Sequence, residues 1–187
     1  MSEPAGKEAT YEDLYDLPEN MTGEIIDGEL IVTPRPSRKH VFAATSLGGV
    51  VTVSYQLGKT GGPGGWIILI EPEIRFGKDT LVPDLAGWKR ERFPVEEPHN
   101  WISVAPDWIC EVISPSTARN DRVKKMRIYA RHEVRHAWLI DPLLKILEVN
   151  RLEAGRWVSL DVYAENDKVR AEPFQEVEID LGSLWLE

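Results

Sequence analysis

Residues 108–125 pass from an apolar run through a polar turn into a basic segment. They read Trp108-Ile109-Cys110-Glu111-Val112-Ile113-Ser114, then Pro115-Ser116-Thr117-Ala118-Arg119-Asn120, then Asp121-Arg122-Val123-Lys124-Lys125. The apolar run predicts a strand over residues 108–114 that is buried on both faces. Ser116, Thr117 or Asn120 can cap a helix predicted over residues 120–132. We therefore expect a strand, a turn and a helix in succession.

Two isolated carboxylates mark the predicted strands. Glu111 is the only charge in its apolar run, and Asp84 repeats this feature in Leu81-Val82-Pro83-Asp84-Leu85-Ala86-Gly87-Trp88. A buried ionised carboxylate needs a base, hydrogen-bond donors or a metal. Taken singly, each is better explained as solvated at a strand end or paired with an arginine. Together, and followed by a polar turn and a basic helix, they favour one shared site for Mg²⁺ or Mn²⁺.

The rest of the chain predicts a mixed sheet with helices packed on it. Asp27-Gly28 between two β-rich runs predicts a hairpin over residues 24–32. Apolar spacing predicts a long helix over residues 38–57, and helical turns are expected over residues 11–17. The glycine-rich residues 61–65 lack the features of a phosphate-binding loop. Further strands are predicted over residues 66–70, 73–76, 82–88, 134–140, 145–150 and 156–163.

Composition and length are typical of a globular protein. The chain has 187 residues, of which 42% are hydrophobic and 28% charged. It contains no repeat or linker, so we expect a single domain over residues 1–187, with residues 1–10 flexible. No apolar run is long enough for a membrane span, and the N-terminus lacks a signal-peptide pattern. These features predict a cytoplasmic protein with no membrane partner.

Charge and cysteine content exclude several classes of function. The formal net charge of −9 argues against a protein that coats DNA non-specifically. It leaves open an enzyme with a local basic edge and an acidic metal site. Cys110 is the only cysteine, which excludes an intrachain disulfide and a cysteine metal cluster. We interpret Cys110 as a core residue.

The helix that follows Glu111 carries the basic candidates. Helical spacing predicts a core-facing stripe of Val123, Met126 and Ala130. An adjacent face carries Arg122, Lys125 and Tyr129. This face points towards the predicted site, where Lys125 could hold a phosphate or the attacking water. Lys124 is interpreted as solvated.

These residues resemble a known family. Pro83-Asp84, Glu111 and a basic helix resemble the PD-(D/E)XK, or restriction-endonuclease-like, superfamily. More narrowly, the chain from about residue 11 to its end resembles the Uma-two family of endonucleases. The residues that carry this resemblance are Glu24-Ile25-Ile26-Asp27-Gly28-Glu29, Pro83-Asp84, Glu111-Val112-Ile113-Ser114-Pro115-Ser116-Thr117, Asp121-Arg122, Lys125, Tyr129 and Ala137-Trp138-Leu139-Ile140-Asp141-Pro142.

The resemblance implies an α/β (α+β) fold with a restriction-endonuclease-like core. Its mixed sheet of four to five strands would be flanked by helices, with additional C-terminal strands. The resemblance makes Asp84 and Glu111 the metal ligands, Glu24 an additional acidic residue and Lys125 the catalytic lysine. Ile113 occupies the usual lysine position, two residues after the glutamate, so catalysis depends on Lys125 reaching the site.

Two further side chains are accessory candidates. His40, near the start of the long helix, could approach the same cleft, although a lone histidine is more often structural. Arg122 shares the predicted site-facing side of the helix with Lys125. Arg35, Arg38, Lys39, Arg119, Arg122 and Lys125 could together form a local basic rim.

The sequence favours one function over two alternatives. We expect a metal-dependent endonuclease that hydrolyses phosphodiester bonds by metal-activated water, with DNA favoured over RNA and a homodimer as a possible assembly. The first alternative is a catalytically degenerate member of the fold that binds DNA or a partner. The second is a metal hydrolase acting on a phosphoester outside nucleic acids.

Overall fold

The computed structural model describes residues 8–187, which form three sheets and two α-helices. The α-helices are α1 (Arg38–Val51) and α2 (Met126–Arg131). The strands are β1 (Met21–Ile26), β2 (Glu29–Pro34), β3 (Trp66–Ile70), β4 (Ile74–Phe76), β5 (Asp79–Leu81), β6 (Leu85–Lys89), β7 (Trp108–Val112), β8 (His136–Asp141), β9 (Ile146–Glu153), β10 (Arg156–Ala164), β11 (Lys168–Val169) and β12 (Ile179–Asp180).

The central sheet is mixed and has six strands in the order β10-β9-β8-β7-β6-β3. β7 and β8 are parallel, and the other neighbouring pairs are antiparallel. The mixed sheet flanked by helices is confirmed. Four of its strands, β8-β7-β6-β3, agree with the four to five that the resemblance implied, and the β9–β10 hairpin beyond β8 supplies additional C-terminal strands, as expected.

A second sheet has the strand order β2-β1-β5-β4, and its strand β5 is followed in the chain by β6 of the central sheet. The hairpin predicted around Asp27-Gly28 joins β1 and β2. Asp27 (φ 53°) and Gly28 (φ 79°) both adopt the left-handed conformation that a type I′ turn requires. β5 was not predicted, and the strand expected over residues 82–88 begins only at Leu85. Residues 82–84 instead pass from one sheet to the other.

Both predicted helices contain a π-helical segment. α1 continues as the π-helix Thr52–Gln56, and the helix expected over residues 120–132 begins as the π-helix Asn120–Lys125. A π-turn changes the angular phase of the residues after it. The predicted core stripe was therefore wrong at Val123, which is 40% exposed, whereas Lys125 and Tyr129 are buried.

Two apolar clusters cover the two faces of the central sheet. In β7, Trp108, Cys110 and Val112 face the cluster that packs against α1, and Ile109 faces the cluster that contains α2. Because side chains alternate along a strand, Glu111 shares the α2 face with Ile109. The prediction that Cys110 is a core residue is confirmed, since it is fully buried.

The ends of the described chain are held by specific contacts. The predicted turns over residues 11–17 form a 3₁₀-helix, Tyr11–Leu14, and a second one, Leu181–Leu184, contacts α1. Part of the N-terminus that we expected to be flexible, residues 1–7, lies outside the described residues. The amide of Ala9 donates to the carbonyl of Gly28 at 2.9 Å. Within residues 8–187, no helix has the length and apolar character needed to cross a bilayer.

Candidate active site

A cavity of about 370 Å³ lies between the second sheet and the end of β7. Its walls are the β1–β2 hairpin, the segment 34–37 that leads into α1, residues 82–84, and the turn 114–117. The register of β6 on β7 pairs Leu85 with Cys110, so Asp84 stands one step further along, beside Glu111. Both carboxylates, Glu24 and Lys125 line this cavity.

Glu111 is held by a lysine and a tyrosine. Its Oε1 lies 2.8 Å from Lys125 Nζ and accepts a hydrogen bond of 2.6 Å from the Tyr129 hydroxyl. Its Oε2 accepts from Lys125 Nζ at 2.9 Å. The Glu111 side chain is only 3% exposed. Its carboxylate is therefore fixed in orientation by partners on the π-helix and α2.

Lys125 is buried among carboxylates. Besides Glu111, its Nζ lies 2.9 Å from Glu24 Oε1 and 3.7 Å from Asp121 Oδ1. It also donates to the carbonyl of Val82 at 3.4 Å. Glu24 Oε1 in turn accepts from the Val82 amide at 2.7 Å, which ties β1 to the segment before β6.

Asp84 is oriented by a histidine and a backbone amide. Its Oδ2 accepts from the Val112 amide at 2.6 Å, and its Oδ1 lies 2.6 Å from His40 Nε2. His40 lies in the first turn of α1, where its amide donates to the side chain of the N-cap residue Ser37. His40 Nδ1 is buried without a hydrogen-bond partner in the described part of the chain.

The electrostatics of this group follow from burial and crowding of negative charge. Burial raises the pKa of Glu111 well above its ordinary value; Lys125 opposes the rise, and Asp121, Asp84 and Glu24 add to it. Burial also works to lower the pKa of Lys125, but Glu111 and Glu24 more than offset this effect and hold the pKa well above its usual value. Lys125 is therefore an ammonium ion at neutral pH.

The donor set fits a hard divalent cation. Three carboxylates (Glu24, Glu111 and Asp121) lie within 4 Å of the buried Lys125 ammonium, and Asp84 lines the same cavity, which gives the group an excess of acidic side chains. Within residues 8–187, no group of three or more His, Cys, Asp or Glu side chains is arranged as a complete metal site. Mg²⁺ is commonly held by one or two carboxylates plus waters and substrate phosphate, so two carboxylates such as Asp84 and Glu111 would be enough to hold it.

The structure brings together most of the candidates taken from the sequence. Glu24, Asp84, Glu111, Lys125 and His40 all line the one cavity. The structure separates Arg122 from this group. Its guanidinium forms a two-pronged ion pair with Glu148, at 2.9 and 2.6 Å.

Three contributors were given no role in the site from the sequence, although Tyr129 was placed on the site-facing side of the helix. Asp121 and Tyr129 flank Lys125 at a spacing of four residues, and this spacing was the available signal. Glu71 also lines the cavity, and its amide donates to the Asp84 carbonyl at 3.0 Å. Its positive φ of 48° had no signal in the sequence. Ile113 is buried in the core, so Lys125 supplies the ammonium at this site.

Part of the expected basic rim is free of ion pairs. Arg38, Lys39 and Arg119 are exposed, and none of them forms an ion pair within residues 8–187. Arg35 lines the cavity and donates to the carbonyl of Glu19 at 2.9 Å. Lys124, which is not part of the expected rim, forms an ion pair with Glu29 at 3.1 Å.

Comparisons with known proteins support a nuclease. A crystal structure from Anabaena variabilis, of a "putative nuclease belonging to DUF820", superposes with a TM-score of 0.75 at 25% identity. The match covers 95% of this chain and 97% of that one. No curated protein matches the chain. The Uma2 family model, described as "Putative restriction endonuclease", matches residues 9–182. The chain therefore belongs to the Uma2 family, which confirms the resemblance found in the sequence and its restriction-endonuclease-like fold.

Proposed function

We propose that this protein is a metal-dependent endonuclease that hydrolyses phosphodiester bonds in DNA and binds Mg²⁺ or Mn²⁺ through Asp84 and Glu111. One observation carries the proposal. Asp84, directly before β6, and Glu111 in β7 share a cavity with a buried lysine whose Nζ lies within 2.9 Å of Glu111. Hard oxygen ligands next to a fixed positive charge suit the cleavage of a charged phosphate ester.

The side chains of the site are held in place before substrate arrives. A bound divalent cation would lower the pKa of its water and offset charge on the scissile phosphate. His40 and the Val112 amide fix Asp84, while Tyr129 and Lys125 fix Glu111. Such orientation supports catalysis because little reorganisation is then needed during the reaction.

The mouth of the cavity suits a nucleic-acid backbone. Ser114, Ser116 and Thr117 of the turn 114–117 line the cavity, and their hydroxyl groups are hydrogen-bonded to one another. Hydroxyl groups and arginines are common partners of phosphate and sugar. Arg35 lines the cavity too, from the segment 34–37 that leads into α1. The word "restriction" in the family's description favours DNA over RNA.

One observation favours a second candidate function, a non-catalytic DNA-binding or partner-binding module. Asp84 and Glu111 have all four carboxylate oxygens engaged by protein donors. Such a network can stabilise the fold without any metal. The two candidates differ in whether the protein binds divalent cations and cleaves nucleic acid.

Calorimetry and a cleavage assay distinguish these functions. We expect Mn²⁺ to bind the wild type and binding to be lost in Asp84→Asn and Glu111→Gln. Glu148→Gln serves as the matched control, because Glu148 pairs with Arg122 away from the cavity. We also expect cleavage of a DNA panel that requires Mg²⁺ or Mn²⁺ and stops in both site variants. Metal binding without cleavage of any DNA or RNA would favour the module, and no metal binding would exclude the proposed metal site.

A further inference from the structure

Lys125 lies where a cation shared by the carboxylates would lie. Its Nζ is within 2.9 Å of Glu111 and Glu24 on two different sheets, and 3.7 Å from Asp121. Its side chain is 2% exposed although it lines the cavity. A buried ammonium ion with several carboxylate neighbours is the counter-ion that keeps those charges compatible with burial.

The acceptor sites of Glu111 are nearly all engaged. An ionised carboxylate offers about four lone-pair positions. Tyr129 and Lys125 use Oε1, and Lys125 also uses Oε2. A divalent cation on the remaining position would share Oε2 with an ammonium group 2.9 Å away. Two cations that share one carboxylate oxygen lie close together, and they repel each other strongly in a site that excludes water.

We propose that the Lys125 ammonium is the resident counter-ion of Glu111 and Glu24, and that a divalent cation binds Glu111 only as Lys125 moves off it towards the cavity. This inference rests on the metal site of the proposed function. It assigns Lys125 a positioning role before the metal arrives. Contact with substrate phosphate follows metal binding, because only a displaced ammonium is free to make it.

The fold allows this movement. The four methylene groups of lysine can carry its ammonium several ångströms without a change in the backbone. Lys125 is the last residue of the π-helical segment Asn120–Lys125, and π-turns often occur at functional sites. The hydroxyl-lined turn 114–117 borders the same cavity, where a phosphate would meet the displaced ammonium.

The first test compares Mn²⁺ affinity in two variants of Lys125 by calorimetry. Lys125→Met removes the competing cation and keeps a similar length, so we expect it to bind Mn²⁺ at least 10-fold more tightly than the wild type. Lys125→Arg retains the charge and should stay near the wild-type affinity. Equal or weaker binding by folded Lys125→Met would overturn the inference and leave the metal site intact. If neither Lys125→Met nor the wild type binds Mn²⁺, the metal site of the proposed function fails as well.

The second test uses the wild type, so it does not depend on how Lys125→Met folds. Lysine ammonium signals are followed by ¹⁵N NMR while Mg²⁺ is added to the full chain. We expect one protected ammonium signal, from Lys125, that is absent in Lys125→Arg. It should shift and lose its protection from solvent exchange as Mg²⁺ saturates the site. A Lys125 signal that is unchanged at saturation would contradict displacement.

Discussion

The contact between Tyr129 and Glu111 shows how one side chain in α2 supports the site. The Tyr129 hydroxyl donates to Glu111 Oε1 at 2.6 Å, and both side chains are buried. Burial raises the pKa of Tyr129 well above its ordinary value, and Glu111 adds to the rise, so the hydroxyl keeps its proton. A hydrogen bond to a charged acceptor contributes more to stability than one between neutral groups.

We expect Tyr129→Phe to lower the free energy of unfolding by about 1.5–3 kcal/mol, because one bond to a buried carboxylate is lost. Urea denaturation measures this change. Tyr15→Phe is the control, since Tyr15 is 70% exposed and its change should stay within about 0.5 kcal/mol. A loss as small as that of the control would mean that Lys125 alone satisfies Glu111.

His136, at the start of β8, makes stability depend on pH. Burial lowers the pKa of His136, and its contacts to the Asp107 carbonyl and Glu172 only partly oppose this. The unfolded chain therefore binds a proton more readily, so stability is lost as the pH falls below about 6.5. Between pH 7 and 5.5 we expect the free energy of unfolding of the wild type to fall more steeply than that of His136→Gln, by up to about 1.4 kcal/mol per pH unit. Parallel curves in denaturant titrations would contradict this assignment.

For single residues, the sequence identified which side chains belong to the site more reliably than which partners they contact. Asp84 and Glu111 could be predicted because each is the single charge in an apolar strand segment. The sequence named His40 as a candidate for the cleft, but its contact with Asp84 and the pairing of Arg122 with Glu148 were not predicted, because these contacts span 44 and 26 residues. Such contacts depend on how distant segments pack, which one sequence does not show.

The elements around the site combine a regular strand with an irregular helix. β7 follows the predicted alternation, which directs Glu111 to the α2 face. The helix after it begins with the π-turn Asn120–Lys125, and this turn brings Lys125 and Tyr129 to that same face. Periodicity of 3.6 residues predicted the helix but misplaced Val123, because a π-turn has no distinct apolar pattern.

Adjacent glycines in α1 provide a matched pair for testing helix stability. A Cβ added at Gly49 would meet no atom within 4 Å, whereas one at Gly48 would lie 3.2 Å from Leu85 Cδ2 in β6. Glycine in a helix interior is less stable than alanine by about 0.5–1 kcal/mol. We expect Gly49→Ala to gain about this amount in chemical denaturation and Gly48→Ala to gain less or to lose stability. A loss in Gly49→Ala would contradict the assignment of the difference to helix propensity.

At the scale of the whole molecule, the cavity exists because two sheets meet at residues 82–84. Glu24 comes from β1 and Glu111 from β7, and they share Lys125 across the junction. The sequence predicted most strands and the β1–β2 hairpin, which depend on local signals. It did not predict β5 or the separate second sheet, because a three-residue strand depends on its pairing with β1 and β4.

The overall charge of −9 limits how the whole protein can bind DNA. Arg35 lines the cavity, and Arg38, Lys39 and Arg119 are exposed and form no ion pair within residues 8–187, whereas Arg122 and Lys124 are paired with Glu148 and Glu29. Each neutralised phosphate contributes about −0.9 to the slope of log affinity against log salt. About four contacts therefore predict a slope no steeper than about −4.

Fluorescence anisotropy with a labelled DNA duplex tests this limit in the Glu111→Gln background, which we expect not to cleave. Arg38→Glu combined with Lys39→Glu should weaken binding and reduce the slope by about 2. Arg156→Glu combined with Lys168→Glu changes the net charge equally, but on β10 and β11, away from the cavity. We expect this control to keep the wild-type slope if the basic rim, and not the net charge, contacts the DNA. Equal losses in the two double variants would show that DNA responds to net charge alone, and the basic rim would then have no specific role.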